Sequence, residues 1–151
     1  MANDGDIETW RSDRGELAVA FRAPAVLVFK YRGYMSAGAV PFVDGCVQRA
    51  LKAGLRPDLF VDLRELTGYD TEYRVAITQW GRTIKDRVGL FLLLVNSKLI
   101  AMGVSVSNMI LGGFMTATSR HEQFEAALAE SLRKAGVAVA AESAPPPRPP
   151  V

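Results

Sequence analysis

Alternation of apolar and polar residues predicts three β-strands at the start of the chain. Positions 17–21 alternate with a period of two, which is typical of a strand buried on one face. Positions 25–32 begin as a continuous apolar run and then alternate, and 7–12 form a weaker strand-like segment. Turn residues at 13–15 and 23–24 separate these segments, so we expect an antiparallel meander.

After the meander, segments of helical periodicity alternate with short apolar runs. The predicted elements are a helix from Ser36 to Gly54, a strand at 59–61 that leads into a loop over 62–70, a helix capped by Asp70, a strand at 90–95, a helix at 98–111, a strand at 114–118, and a helix from a Ser119–Glu122 capping box to Gly136. This order predicts an α/β fold with a mixed sheet of five or six strands and right-handed crossovers. The strand at 90–95 is the most apolar, so we expect it at the centre of the sheet.

The helix predicted at 98–111 is apolar on almost every side. Such a helix is buried on more than one side, so we expect the sheet on one side and a neighbouring helix or a second copy of the chain on another. A wall of a ligand cavity is the alternative. The candidates for an apolar ligand or dimer face are Met102, Val106, Met109 and Ile110. The predicted core consists of Val28, Phe29, Phe60, Val61, Trp80, Leu92, Leu94, Met102, Val106 and Leu128.

Length and composition bound the organisation of the chain. Its 151 residues suit a single domain at 1–140, followed by a disordered proline-rich tail at 141–151. The net charge of +2, with basic residues scattered along the chain, argues against a nucleic-acid partner. We expect a cytoplasmic protein without an integral membrane segment, because the first residues are acidic and no apolar run is long enough to span a bilayer. A single cysteine, Cys46, fits a reducing compartment.

Candidate chemical groups are sparse. One histidine, His121, and one cysteine cannot supply a dedicated metal ligand set, so we expect no metal, no cofactor and no nucleophilic catalysis. Four carboxylates could in principle act as an acid–base pair: Asp62, Glu65, Asp70 and Glu72. A cap, a favourable helix-end charge and solvent exposure explain them more simply, so no enzyme activity is expected. The four tyrosines, Tyr31, Tyr34, Tyr69 and Tyr73, could surround a ligand, but packing is the simpler interpretation.

The stretch Asp62-Leu63-Arg64-Glu65-Leu66-Thr67-Gly68-Tyr69-Asp70 resembles the strand–loop–helix signature of the STAS superfamily, the fold of anti-sigma-factor antagonists. It is most similar to the SpoIIAA-like branch, whose fold is often grouped with the CRAL-TRIO lipid-transfer domains. Trp80 and the apolar segment at 101–107 match that branch in type and order. The likeness spans about residues 14 to 135, and its specific part is 60–111.

This resemblance implies a non-enzymatic, bacterial-type regulatory module. Phospho-switched members of the superfamily carry Ser-Ser-Gly after the second aspartate, whereas here Thr71, Glu72 and Tyr73 follow Asp70. We therefore expect a module without the usual serine switch. Its partner would be a regulatory protein, for example of the anti-sigma type, and a homodimer is an alternative. The expected protein-binding residues are Glu65, Thr67, Tyr69, Asp70, Thr71 and Glu72. The second functional reading is a CRAL-TRIO-like carrier of a lipid or a small apolar ligand.

Overall fold

The protein is described by a computed structural model over residues 6–136, as one six-stranded sheet with four helices. The strands are β1 (Asp6–Arg11), β2 (Gly15–Ala23), β3 (Val26–Met35), β4 (Asp58–Tyr69), β5 (Phe91–Leu94) and β6 (Thr116–Thr118). The helices are α1 (Ala39–Lys52), α2 (Thr71–Ile84), α3 (Lys98–Ile110) and α4 (His121–Lys134). The predicted tail at 141–151 lies outside the described residues.

The spatial order of the strands is the same as their order in the chain. β1, β2 and β3 pair antiparallel, which confirms the predicted meander, and β3 to β6 pair parallel through the three helical crossovers. The α/β class and the mixed sheet are thereby confirmed. The expected central place of the 90–95 strand is wrong, because β5 is second from one edge. Its apolar sequence reflects helices covering both faces of the sheet there.

The two faces of the sheet carry separate cores. On one face, α1, α2 and α3 cover a large cluster that includes Phe29, Val61 and Trp80. On the other face, α4 packs Phe124, Leu128 and Leu132 against Phe60, Leu92 and Leu94. Alternation of side chains along each strand assigns neighbouring residues such as Phe60 and Val61 to opposite cores.

β4 is much longer than the sequence pattern predicts. Instead of a loop over 62–70, the strand continues to Tyr69, which pairs with Met35 at the end of β3. Two register shifts along this pairing, after Lys30 and after Gly33, absorb the irregular side-chain pattern that suggested a loop. Residues 65–69, expected on a loop, therefore lie on a strand.

The predicted N-cap residues agree with the structure at one position and differ at two. Asp70 caps α2, and its Oδ1 accepts a hydrogen bond from Tyr73 N at 2.7 Å. Ser36 is not the cap of α1, which begins after Gly38. The predicted Ser119–Glu122 capping box is also wrong, because the N-cap of α4 is Arg120, which makes no side-chain cap hydrogen bond. Just before the helix, Thr118 Oγ1 accepts from Arg120 N and donates to Gln123 Oε1.

Candidate functional site

Helix α3 has an apolar side that faces solvent. Ile100 and Ser107 are buried on its inner side. The outer face of α3, as we call it, consists of Leu99 (68 % exposed), Met102 (62 %), Val106 (43 %), Met109 (79 %) and Ile110 (46 %). The prediction that Met102 and Val106 belong to the core is therefore wrong. These residues follow one another at helical spacing on the side of α3 that turns away from the sheet.

A cavity of about 100 Å³ lies beneath α3, between the sheet and helices α1, α2 and α3. Apolar and aromatic side chains form most of its wall, including Phe29, Val61, Trp80, Ile100 and Val104. Its polar lining comes from Tyr31, Tyr69, Tyr73, Arg74 and Ser107. Three of the four tyrosines thus surround one interior space.

A second, more open concavity, the outer groove, lies on the solvent side of α3 and has a volume of about 290 Å³. It is lined by Tyr69, Arg74, Leu99, Met102, Gly103 and Val106. Tyr69 and Arg74 also line the interior cavity, so these two side chains separate the cavity from the groove. Gly103 is needed for this arrangement, because a Cβ there would collide with the Tyr69 hydroxyl.

Two hydroxyl pairs lie in the wall of the cavity and beside it. Tyr73 Oη donates to Tyr31 Oη at 3.0 Å, and the two rings meet edge-on. Burial raises the pKa of Tyr31 to about 12 and that of Tyr73 well above its usual value, so both are neutral at physiological pH. Thr78 Oγ1 donates to the Arg74 carbonyl at 2.7 Å and lies 2.8 Å from Ser107 Oγ. The second pair joins α2 to α3.

A charge network occupies the opposite face of the sheet. Arg64 contacts Asp62 through two side-chain hydrogen bonds of 3.0 and 2.8 Å, and Lys30 and Arg32 both pair with Glu65. Burial alone would raise the pKa of Asp62, but the hydrogen bonds from Arg64 and the charge of Lys30 hold it below its usual value. The carboxylates of Asp62 and Glu65 form ion pairs, and neither residue lines the interior cavity.

The structure divides the expected protein-binding residues between two faces. Glu65 joins the charge network, and Thr67 is exposed. Tyr69 instead contacts Tyr73 and borders the outer groove. Asp70 is occupied as a helix cap, and Thr71 and Glu72 are exposed in the first turn of α2. The six residues are neighbours in sequence without forming one surface.

Other candidate groups have structural surroundings. His121 is exposed, and its Nε2 lies 3.3 Å from Glu125 one turn later in α4. Cys46 is buried in α1, and burial raises the pKa of its thiol to about 11. Across residues 6–136, no three His, Cys, Asp or Glu side chains gather as metal ligands. No helix in the same range is long and apolar enough to cross a membrane.

Comparisons with known proteins agree with the topology. No family model matches the sequence, and no curated protein matches it. Among solved structures, the chain is similar to an uncharacterized protein of the DUF3478 family from Shewanella loihica, described as having a SpoIIAA-like fold. The TM-score is 0.56 at 15 % identity, over 82 % of this chain and 92 % of that chain. This chain has a SpoIIAA-like fold. The resemblance found in the sequence is thus confirmed for the SpoIIAA-like architecture.

Two residues of the site carry little signal in the sequence pattern. Arg74 follows the core residue Tyr73 in α2 and looks there like an ordinary polar position of an amphipathic helix. Leu99 precedes Met102 by three residues, so it extends the same helical face. Because α3 is apolar on its inner side as well, the sequence pattern does not distinguish the exposed apolar stripe from the side that packs on the sheet.

Proposed function

We propose that the chain is a non-enzymatic regulatory module that binds a partner protein through the outer face of α3. The observation that carries this proposal is the row of large apolar side chains exposed along one side of that helix. Contiguous apolar surface of this kind marks interaction sites on soluble domains, whereas single exposed apolar residues need no explanation. An apolar helix face with a groove beside it suits an amphipathic segment of a partner.

The charges beside the outer face favour an acidic partner. Lys98 is the charged residue of α3, Arg74 lies in the groove, and Lys85 lies near Gly112 just after the helix. Helix α3 itself contains no Asp or Glu, so a second copy packed on it would meet the same cations with few carboxylates to pair with them, which disfavours a homodimer through this face. Three cations are also fewer than the ~4–8 that usually attach a protein to an anionic membrane. A partner segment with apolar side chains flanked by carboxylates satisfies both features.

The binding surface therefore extends from the outer face of α3 to the start of α2. Tyr69 lines the groove, and Thr71 lies three residues before Arg74 on the same side of α2. Phosphorylation of Thr71 would place up to about two negative charges beside the cation that faces the partner. Such a modification would weaken binding of an acidic segment more than it would change folding.

A matched pair of variants tests the proposal. The first replaces Met102, Val106 and Met109 by Ser, and the second replaces Glu65 by Gln and Thr67 by Ala on the opposite side of the sheet. Both should fold, because all five positions are exposed. Affinity purification with quantitative mass spectrometry should give a partner that the wild type and the second variant retain and the first loses. That complex must then form from two purified components.

Three results would contradict the proposal. Loss of the partner by the Glu65 and Thr67 variant alone would move the site to the other face. A wild-type dimer in sedimentation that the triple serine variant abolishes would make the outer face a self-association surface. Binding of the wild type to anionic phospholipid vesicles, lost in the same variant, would make the target a membrane.

A second candidate function, a carrier of an apolar ligand, is favoured by the interior cavity. Its volume of about 100 Å³ decides the size of such a ligand. An engineered apolar cavity of about 150 Å³ holds one benzene, so a long-chain lipid would not fit in this cavity. Native mass spectrometry of freshly purified protein tests this candidate, because a carrier should retain a small co-purifying mass that denaturation releases.

A further inference from the structure

The interior cavity meets the outer groove at two polar side chains. Tyr69 and Arg74 line both concavities, and the rest of the cavity wall is mostly apolar. A small molecule that entered between these side chains would put its apolar part inside and its polar part beside Arg74.

Arg74 is a half-buried cation without a counter-ion. No Asp or Glu within residues 6–136 forms an ion pair with its guanidinium, whereas other arginines in that range, such as Arg32, Arg49 and Arg64, do form one. Withdrawing a cation from water is unfavourable unless it is paired, so Arg74 is suited to an anion at the mouth of the cavity. A guanidinium matches the two oxygens of a carboxylate in a bidentate geometry.

The tyrosine pair inside the cavity has a hydrogen-bond donor to spare. Tyr31 is 5 % exposed and Tyr73 is 7 % exposed, and both line the cavity. Two phenols carry two O–H donors, but one hydrogen bond joins them and neither hydroxyl has another partner in the described part of the chain. A buried donor without an acceptor costs about 1–3 kcal/mol, so a ligand oxygen would stabilise this pair. The neighbouring Thr78–Ser107 pair differs, because the Thr78 donor is occupied by the Arg74 carbonyl.

We infer that the cavity binds a small carboxylic acid with a ring or a short branched chain, whose carboxylate pairs with Arg74. The apolar body fills the space beneath α3, and an oxygen of the ligand accepts from the Tyr31–Tyr73 pair. The cavity is smaller than the ~150 Å³ that holds one benzene but meets the outer groove at Tyr69 and Arg74, so the apolar body should be no larger than a phenyl or isobutyl group, and long acyl chains should not fit. This inference rests on the second candidate function, ligand binding; it shares Arg74 and Tyr69 with the proposed partner surface but does not require a partner protein.

Titration of the full chain with five probes tests the inference: benzoate, isovalerate, their amides and palmitate. Heat of binding and the fluorescence of Trp80, which lines the cavity, report occupancy. A Trp10→Phe background removes the other tryptophan. We expect saturable one-to-one binding of benzoate or isovalerate, with affinity for the amide reduced about tenfold or more, because a charged hydrogen bond contributes about 1.5–3 kcal/mol.

Matched variants assign the interactions. Arg74→Gln should remove the preference for acid over amide, whereas Arg82→Gln, at an exposed position two turns later in α2, should preserve it. Val104→Phe, which fills the cavity from α3, should abolish binding of every probe. If that variant fails to fold, the Tyr31→Phe, Tyr73→Phe double variant provides the second test, because it removes both O–H donors and should weaken binding of the acids.

The remaining outcomes overturn the inference in distinguishable ways. Binding of palmitate without the short acids would keep the carrier and refute the ligand class. Equal binding of acid and amide by the wild type would refute the role of Arg74. No binding of any probe, together with no co-purifying mass, would end both the inference and the carrier.

Discussion

Helices α3 and α4 cover opposite faces of the same sheet and differ in what they present to solvent. The outer side of α4 is charged, with His121 beside Glu125 and Glu130 paired with Arg133. The outer side of α3 is the apolar stripe from Leu99 to Ile110. Since both helices are about the same length and both pack on parallel strands, the sheet does not impose this difference. A polar outer side completes a structural helix, and an apolar outer side leaves α3 with surface to bury elsewhere.

The interiors beneath the two helices differ in the same sense. Under α4, Phe124 meets Phe60 edge-on at 5.8 Å between ring centroids, and Ser131 Oγ donates to Asp58 at 2.6 Å. Under α3 lie the cavity and the tyrosine pair with its unused donor. Close packing stabilises the α4 side, whereas the core on the α3 side contains an unfilled cavity. Recognition is therefore expected on the α3 side.

The largest effect is expected from removing the main α4 anchor. Phe124→Ala should lower the free energy of unfolding by about 3–5 kcal/mol, because a fully buried ring in a close-packed cluster leaves a cavity. Urea denaturation followed by circular dichroism measures the change in midpoint, and Ala126→Ser on the exposed side of α4 is the control. A midpoint equal to that of the control would show that α4 does not anchor this face.

Alkaline pH should destabilise the α3 side through its tyrosines. The pKa of Tyr31 is raised from 10.0 to about 12, and that of Tyr73 is also raised. The unfolded chain ionises first as pH rises above 10, so stability present below pH 10 is lost at about 1.4 kcal/mol per pH unit for each such group. A Tyr31→Phe, Tyr73→Phe variant should lose this part of the slope between pH 10 and 12. The buried thiol of Cys46 contributes equally to both proteins and cancels. Equal slopes would mean that the phenols are not desolvated.

A smaller effect is expected at the contact between β4 and α3. Gly103→Ala improves helix propensity by about 1 kcal/mol but displaces the Tyr69 hydroxyl. The substitution should therefore give little or no stabilisation in the wild type and about 1 kcal/mol in a Tyr69→Ala background. Thermal or urea denaturation of the four proteins gives the coupling energy. Additive changes would show that Tyr69 does not pack on Gly103.

The smallest effect on stability is expected on the outer face of α3. Replacing Met102, Val106 and Met109 by Ser should change the free energy of unfolding by less than about 0.5 kcal/mol for each residue, because these residues are 43–79 % exposed. The same urea titration used for Phe124→Ala measures it. A loss of several kcal/mol would show that this stripe is packed within the domain and would remove the contrast with α4.

The sequence predicts the fold well because its signals are local and repeated. The alternation in β2 comes from burial on one face of the sheet, and the apolar run in β3 comes from burial on both faces. Asp70 caps α2 through a hydrogen bond to a residue only three positions away. Where two local solutions compete, the prediction fails. Helix α4 begins after Arg120 instead of at Ser119, and Thr118 binds the Arg120 N–H. Pairing with the long β3 extends β4 through a segment whose pattern resembles a loop.

The candidate site is harder to predict because it depends on which side of α3 meets the sheet. A helix that is apolar on all sides gives no periodic signal for its orientation. The sequence therefore predicts Met102 and Val106 both as core residues and as candidates for a ligand or dimer face. The approach of Tyr69 to Gly103, and of Arg74 to the cavity mouth, joins residues about 30 positions apart through tertiary packing. No sequence motif predicts these tertiary contacts.

Site-specific photo-cross-linking tests the contrast between the two helices most directly. A photoreactive phenylalanine analogue would replace Met109 on α3 in one protein and Glu125 on α4 in another, since both side chains are exposed. After irradiation in cells of the source organism, the Met109 protein should form an adduct with one defined acidic partner, and the Glu125 protein should not. Adducts from Glu125 alone, or the same adducts from both positions, would contradict a partner surface on the outer face of α3.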